Sequence, residues 1–150
     1  MLGPGDRAPP FRARDQDGKD VALTDLLAVG PLVLYFYPRD FTPVCTTEAC
    51  VFRDAYDELL RQGVQVVGVS ADTEASHRRF ADEHTIPFRL LSDPERSIAR
   101  DYEARQLFGL FPKRITYVIG ADGVVRGAFH HELSAEAHLA DVRALLAEPR

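Results

Sequence analysis

The sequence lacks several features that mark whole classes of protein. It has no tryptophan, one methionine and two cysteines in 150 residues, and no apolar run approaches the roughly 18 residues that span a bilayer. Acidic residues outnumber basic ones by 23 to 18, which gives a net charge of −5. Because nucleic acids and anionic membranes attract basic surfaces, this balance argues against both as partners. A glycine-rich dinucleotide fingerprint is also missing, so we expect no direct binding of NAD(P)H.

The first residues also lack the pattern of a secretory leader. Met1–Asp6 has no basic region, and no apolar stretch follows it. We therefore expect a cytoplasmic protein, in which a permanent structural disulfide is disfavoured. The two cysteines, Cys45 and Cys50, are too few for a disulfide framework. They are either ordinary helix residues or part of the chemistry.

The hydrophobic pattern predicts an α/β fold in a single domain, residues 1–150. Hydrophobic residues make up 45% of the chain and charged residues 27%, as is usual for globular domains, and no repeat or linker divides it. Leu32–Tyr37 is a continuous apolar run with the length of a strand buried on both faces, and Val64–Ser70 reads as a second buried strand. A helical segment from about Pro43 to Gln62 joins them and makes a βαβ crossover. Asp17-Gly18 predicts the turn of an N-terminal β-hairpin.

The remaining elements are expected to complete a mixed sheet with helices on both faces. Thr24 or Asp25 is expected to cap a short helical turn that ends at Leu27. Further helices are predicted at Glu74–His84, from Pro94 toward Tyr102 and after Ser134. Further strands are predicted at Phe88–Leu91, Ile115–Ile119 and Val124–Phe129.

Chemistry concentrates where the first buried strand meets the first long helix. Thr42 is a good N-cap and Pro43 suits the first helical position, so Cys45 falls in the first turn. There, free backbone N–H groups and the positive end of the helix dipole favour a thiolate over a thiol. Open α/β sheets also place their ligands at this edge.

The two cysteines point in different directions from this helix. At about 100° per residue, Cys45 begins the buried stripe, and Cys50 is rotated from it by about 140°. In an intact helix their Cα atoms lie about 8.5 Å apart, beyond the roughly 7 Å that a disulfide tolerates. A disulfide between them therefore requires the first turns to unwind. Metal binding is less favoured, because the spacing is not that of a zinc knuckle.

The sequence around these cysteines resembles the active-site signature of the peroxiredoxins. From Tyr35 to Cys50 it reads YFYPRDFTPVCTTEAC, which is most similar to the bacterioferritin comigratory protein or PrxQ group. The family motif P-x-x-x-T-x-x-C is matched by Pro38, Thr42 and Cys45, and a cysteine five residues later, here Cys50, marks this group. The similarity covers essentially the whole chain.

The resemblance implies a thioredoxin-like fold and a thiol peroxidase that needs no metal or organic cofactor. It makes Cys45 the nucleophile that reduces hydrogen peroxide or an organic hydroperoxide and becomes a sulfenic acid. It makes Cys50 the residue that resolves the sulfenic acid as an intramolecular disulfide. Thioredoxin or a similar dithiol protein would then reduce the disulfide, and a monomer is expected rather than a dimer.

The resemblance also assigns roles to four neighbours. Thr42 would hold the peroxide in line with the sulfur, and Pro38 would shield the sulfur from water. Arg114 would stabilise the thiolate and the leaving oxygen, and Glu48 would orient Arg114. From the residues alone, Thr42 is equally a simple N-cap, Arg114 a solvated strand-end residue and Glu48 a surface carboxylate.

One departure from the group concerns the flexibility of the active-site helix. Val44 stands where glycine is usual, which stiffens the first turn and slows its unwinding. The pocket is expected to take its width from Phe41, Phe108 and Phe111.

Two other classes of function stay open. A metal carrier would use Cys45, Cys50 and either His130 or His131 as ligands. A redox-switched binding protein would use the disulfide to change an exposed surface. All the histidines are expected to be solvated: His77, His84, His130, His131 and His138.

Overall fold

The apolar runs of the sequence form the centre of a mixed, seven-stranded sheet. The computed structural model describes residues 1–105 and 113–147. Its strands are β1 (Arg12–Arg14), β2 (Asp20–Ala22), β3 (Leu32–Phe36), β4 (Gln65–Ser70), β5 (Arg89–Ser92), β6 (Ile115–Ile119) and β7 (Val125–His130). Its helices are α1 (Leu23–Leu27), α2 (Pro43–Arg61), α3 (Glu74–His84), α4 (Ser97–Asp101) and α5 (Ala135–Leu146).

The strand order confirms the predicted crossover and hairpins. Across the sheet the order is β2-β1-β5-β4-β3-β6-β7. The strand β3 pairs in parallel with β4, and β4 pairs in parallel with β5. The pairs β1–β2 and β6–β7 are antiparallel hairpins, and β3–β6 is also antiparallel. The predicted mixed α/β sheet is therefore confirmed.

Two hydrophobic cores cover the two faces of this sheet, because successive strand side chains point to opposite faces. Leu34 and Phe36 of β3 face one core, with apolar residues of α1 and α4. Val33, Tyr35 and Tyr37 face the other core, with apolar residues of α2, α3 and α5. Cys45 belongs to this second core, so the buried stripe of α2 carries the predicted reactive thiol into it.

Two helix starts differ from the prediction. The first helix begins at Leu23 with Ala22 as N-cap, and Asp25 accepts a hydrogen bond from the Ala22 N–H at 3.1 Å from inside the helix. The fourth begins at Ser97 rather than at Pro94. Its N-cap is Arg96, and the Asp93 carboxylate accepts the N–H groups of Ile98 and Ala99 at 3.2 and 2.9 Å.

Two further expectations concern membrane-spanning segments and the residues that set the width of the pocket. None of the helices that the structure describes is long and apolar enough to cross a membrane. Phe108 and Phe111, two of the three aromatic residues expected to set the pocket width, lie outside the described residues.

Candidate active site

Cys45 lies where the sequence predicts it, in the first turn of α2 beyond the carboxyl end of β3. Its side chain is 1% exposed. Thr42 is the N-cap residue, with φ −83° and ψ 150°, and Pro43 is the first helical residue. The side-chain hydrogen bond usual for an N-cap is absent, however. The Thr42 hydroxyl donates to the Arg39 carbonyl at 2.9 Å instead of accepting from a backbone N–H of the helix. The half-buried hydroxyl therefore keeps its lone pairs for another donor.

Arg114 reaches the sulfur directly. Its Nη1 donates to Cys45 Sγ at 2.9 Å, and the residue is only 6% exposed. The interpretation as a solvated strand-end residue is therefore wrong. A guanidinium keeps its charge inside a protein, so this contact favours the thiolate form of the sulfur.

Glu132, which sequence reasoning missed, holds that guanidinium in place. Arg114 Nε donates to the Glu132 carbonyl at 2.9 Å, and the Arg114 backbone N–H donates to Glu132 Oε1 at 3.2 Å. The register of the β6–β7 hairpin, which pairs Ile115 with His130, brings these residues together. That pairing is the signal that could have found Glu132.

Glu48 lies one turn after Cys45 and is fully buried, so the surface interpretation is wrong. Its Oε1 is 3.7 Å from Arg114 Nη1, and its Oε2 is 3.5 Å from His138 Nε2. Neither oxygen has a hydrogen-bond partner within the described chain. Burial raises the pKa of Glu48 from 4.5 to about 8, although the charge of Arg114 opposes that rise.

His138 was expected to be solvated, and the structure corrects this. The ring is buried, with Nδ1 2.8 Å from Thr116 Oγ1 and Nε2 2.8 Å from the His131 carbonyl. A carbonyl only accepts, so Nε2 carries the proton and Nδ1 accepts from the threonine hydroxyl. Burial lowers the pKa of His138 to about 4, so the ring is neutral. His138 lies four residues before the buried Val142, and this helical spacing could have identified it.

His77 is the second histidine for which the solvated expectation is wrong. It is buried, with Nδ1 2.7 Å from Asp40 Oδ2 and Nε2 3.1 Å from the Leu91 carbonyl. Tyr37 donates to the other oxygen of Asp40 at 2.6 Å, and Asp72 accepts the Asp40 backbone N–H at 2.8 Å. This network ties the loop before Cys45 to α3, to β5 and to the segment after β4. The remaining histidines are partly or well exposed: His84, His130 and His131.

Cys50 is half-buried, and both cysteines are free thiols on an unbroken α2. Pro38 is half-buried in the loop between β3 and α2, where its shielding of the sulfur stays a prediction.

The only grouping of possible metal ligands among the described residues is Asp40, Asp72 and His77. All three already hydrogen-bond one another or their neighbours. Neither cysteine belongs to this group, so the described chain does not support the metal-carrier alternative.

Comparisons with known proteins agree with this geometry. The AhpC/TSA family model matches residues 4–128. A protein named "Peroxiredoxin Q, chloroplastic" from Sedum lineare is 40% identical over 143 residues, which cover 95% of this chain and 76% of that protein. The protein of the same name from Oryza sativa subsp. japonica is 40% identical, and the match covers 95% of this chain and 65% of the relative.

Solved structures show the same likeness. The peroxidoxin BcpB of Mycobacterium tuberculosis superposes with a TM-score of 0.93 and 37% identity, covering 100% of this chain and 99% of that one. The bacterioferritin comigratory protein of Xanthomonas campestris, described for its alkyl peroxide reduction, gives a TM-score of 0.82 and 28% identity. That match covers 91% of this chain and 89% of the other.

Proposed function

Since the chain belongs to the AhpC/TSA family and is a thiol peroxidase, a peroxiredoxin, we propose that Cys45 is the thiol that reduces its peroxide substrate. The observation that carries this proposal is the contact of 2.9 Å between Arg114 Nη1 and the buried sulfur of Cys45. The position of Cys45 in the first turn of α2 adds the positive end of the helix dipole. Both effects favour a thiolate, which is the nucleophilic form of cysteine.

The first step is a displacement at the peroxide. The Cys45 thiolate attacks the nearer oxygen, the O–O bond breaks, and the sulfur becomes a sulfenic acid while hydroxide or alkoxide leaves and takes up one proton to become water or an alcohol. Arg114 stabilises the charge that moves onto the leaving oxygen. Thr42 accepts a hydrogen bond from the peroxide, since its own proton is directed to the Arg39 carbonyl. Pro38 limits the access of water to the sulfur, and Glu48 orients Arg114.

The second step joins the two cysteines. The Cys50 thiolate attacks the sulfenic sulfur, the S–O bond breaks, and the oxygen leaves as water once it takes a proton. Because Cys45 and Cys50 lie on one continuous helix, the first turns of α2 must unwind before the sulfurs meet. The product is an intramolecular disulfide.

The substrates and partners follow from this cycle. The peroxide is hydrogen peroxide or an organic hydroperoxide, and the disulfide is reduced by thioredoxin or a similar dithiol protein. The protein works as a monomeric thioredoxin-like domain, without a metal or organic cofactor. We place it in the cytoplasm, although the plant relatives are named as chloroplastic.

The test combines two substitutions with a peptide map. Cys45→Ser is expected to abolish peroxide consumption, whereas Cys50→Ser should consume about one peroxide per chain and then stop with thioredoxin as reductant. In the unsubstituted protein, one equivalent of peroxide should yield a peptide in which Cys45 and Cys50 are disulfide-linked. Full activity in Cys45→Ser would show that Cys45 is not the nucleophile. Continued turnover in Cys50→Ser, or a map without the linked peptide, would remove Cys50 from the cycle.

A further inference from the structure

Two acidic groups share one guanidinium in the buried site. Arg114 Nη1 is 2.9 Å from the Cys45 sulfur and 3.7 Å from Glu48 Oε1. If the sulfur and the carboxyl were both ionised, the pocket would hold two negative charges against the single positive charge of Arg114. A buried charge without its own partner is costly, so the two groups compete for that cation.

The hydrogen bonds around each group favour the sulfur in this competition. The 2.9 Å contact to Cys45 has the length of a direct hydrogen bond, whereas 3.7 Å to Glu48 exceeds one. Both Glu48 oxygens lack a hydrogen-bond partner within the described chain. Glu132 gives the contrast, because its partly exposed carboxylate accepts a hydrogen bond from the Arg114 backbone N–H. Burial alone would raise the pKa of Glu132, but its hydrogen bonds to His130 and to Arg114 lower that pKa.

No second cation compensates Glu48 from the other described elements that face it. Cys45 lies on α2 itself, and the charge of Glu48 helps to raise the pKa of Tyr35 on β3, after the larger effect of burial. Glu132, after β7, is acidic and raises the pKa of Glu48 further. His138 of α5 is 3.5 Å away but neutral, since both of its ring nitrogens are committed to Thr116 and the His131 carbonyl.

We propose that Glu48 is a neutral carboxylic acid while Cys45 is a thiolate, and that it gives up its proton when Cys45 is oxidised. The inference rests on the proposed role of Cys45. In the resting state Arg114 then balances the thiolate alone. Once the sulfur is a neutral sulfenic acid, Arg114 is free to balance the Glu48 carboxylate.

The proton that Glu48 releases is the one that the first step requires. The sulfur lone pair forms the S–O bond and the O–O bond breaks, so the sulfur loses two electrons and the peroxide gains them. The leaving hydroxide or alkoxide needs one proton to become water or alcohol, and Glu48 releases one. The single negative charge of the site therefore passes from Cys45 to Glu48, and no proton is taken from the solvent. Glu48 acts on the reacting sulfur through Arg114, as a positioning residue that also stores the proton.

Proton uptake during oxidation tests the proposal. The experiment uses Cys50→Ser protein, so that the reaction stops at the sulfenic acid, with one equivalent of hydrogen peroxide and a pH indicator in weak buffer near pH 7. This parent should take up essentially no protons. Adding Glu48→Gln should raise the uptake to about one proton per oxidised chain, because the leaving oxygen must then draw on the solvent. Glu132→Gln is the matched control at the same arginine; it removes only the smallest of the effects on the pKa of Glu48, leaves its burial unchanged, and should leave the uptake near zero.

Infrared spectroscopy gives a second readout that needs no variant of Glu48. The reduced parent at pH 7 should show the C=O stretch of a buried carboxylic acid, and this band should disappear on oxidation. Cys45→Ser should also lack the band, because Arg114 then has no thiolate to balance. Glu132→Gln should keep it.

Two results would overturn the proposal: uptake of one proton by the parent at pH 7, or reduced protein without the carboxylic acid band. If Glu48→Gln does not fold, the parent decides the question by itself. A failure of the proposed function can be told apart from a failure of this proposal. If Cys45 is not the nucleophile, mass spectrometry will find no sulfenic acid at Cys45, whereas the infrared band of the reduced protein still reports the protonation of Glu48.

Discussion

At the scale of single residues, Tyr35 shows a polar atom retained at a cost inside the core. Its ring stacks on Phe52 with 5.0 Å between centroids and on Tyr37 with 5.4 Å. A Cβ at Gly68 would lie 2.9 Å from its hydroxyl oxygen, so only glycine leaves room for this side chain. The hydroxyl is buried and has no hydrogen-bond partner within the described chain. The ring therefore stabilises the core, and the hydroxyl opposes it.

Replacing Tyr35 by phenylalanine is expected to stabilise the protein. Tyr35→Phe keeps the ring and removes an unsatisfied buried hydroxyl, which should raise the free energy of unfolding by about 1 kcal/mol. Urea denaturation of the reduced protein measures this change. Tyr102→Phe is the matched control, because its hydroxyl donates to the Pro9 carbonyl at 2.7 Å, and its loss should lower the free energy by about 1 kcal/mol. Equal destabilisation by both substitutions would show that the Tyr35 hydroxyl has a partner.

At the scale of elements, the proposed cycle requires α2 to be stable enough to hold Cys45 and labile enough to release it. The helix runs unbroken over Pro43–Arg61, and Cys45 and Cys50 both belong to its first two turns. Beyond the cysteines, Arg53 ties it to the end of α3 by donating to the His84 carbonyl at 2.6 Å. The part that must unwind is thus the part before this tie, where Val44 stands.

Glycine at position 44 is expected to accelerate formation of the disulfide. Val44→Gly lowers the helix propensity of the first turn by about 0.5 kcal/mol, which corresponds to a roughly twofold larger population of the unwound state. Rapid quenching with an alkylating reagent, followed by mass spectrometry, measures the rate at which Cys45 and Cys50 become linked after one equivalent of peroxide.

Asp57→Gly is the control for this prediction. Asp57 is exposed on the same helix, beyond both cysteines and beyond the Arg53 tie. The substitution should weaken the helix by a comparable amount without accelerating the disulfide. Equal rates in Val44→Gly and the unsubstituted protein would mean that the first turn does not limit the resolving step.

At the scale of the whole molecule, two buried groups make stability depend on pH in opposite directions. The pKa of His138 falls from 6.5 to about 4 on burial, so the unfolded chain binds its proton more strongly. The contribution of His138 to the free energy of unfolding is therefore complete above pH 6.5 and is lost as the pH falls toward 4. The pKa of Glu48 rises from 4.5 to about 8, so the folded protein binds that proton more strongly. Its contribution is full below pH 4.5 and is lost as the pH rises toward 8.

The two contributions separate when each residue is replaced by glutamine. The free energy of unfolding of Glu48→Gln, minus that of the unsubstituted protein, should rise with pH between 4.5 and 8, by at most about 1.4 kcal/mol per pH unit. For His138→Gln the same difference should fall with pH between 4 and 6.5. Urea denaturation at a series of pH values measures both. Parallel curves for a variant and the unsubstituted protein would contradict the assigned protonation state of that residue.

The elements and the place of Cys45 in the first turn of α2 were predictable because both depend on local pattern. A continuous apolar run identifies β3, the valine-rich segment Val64–Ser70 identifies β4, and Thr42 with Pro43 identifies the start of α2. The prediction was less accurate for α4, because the carboxylate that accepts its first N–H groups belongs to Asp93, four positions before the helix begins. Exposure was the weakest part, since His77 and His138 were expected in solvent and are both buried.

The sequence by itself determined the α/β order of elements, the place of Cys45 at the start of a helix and the family motif around it. These features depend on residues that are close together in the sequence, so they can be predicted before the fold is known. Only the tertiary structure decided which groups surround the sulfur. The register of β6 with β7 lets Glu132 hold Arg114 against Cys45 and Glu48, and the packing of α5 on α2 brings His138 to Glu48. These pairs are separated by 66 to 90 residues of chain, and such distances in the sequence close only when the sheet forms.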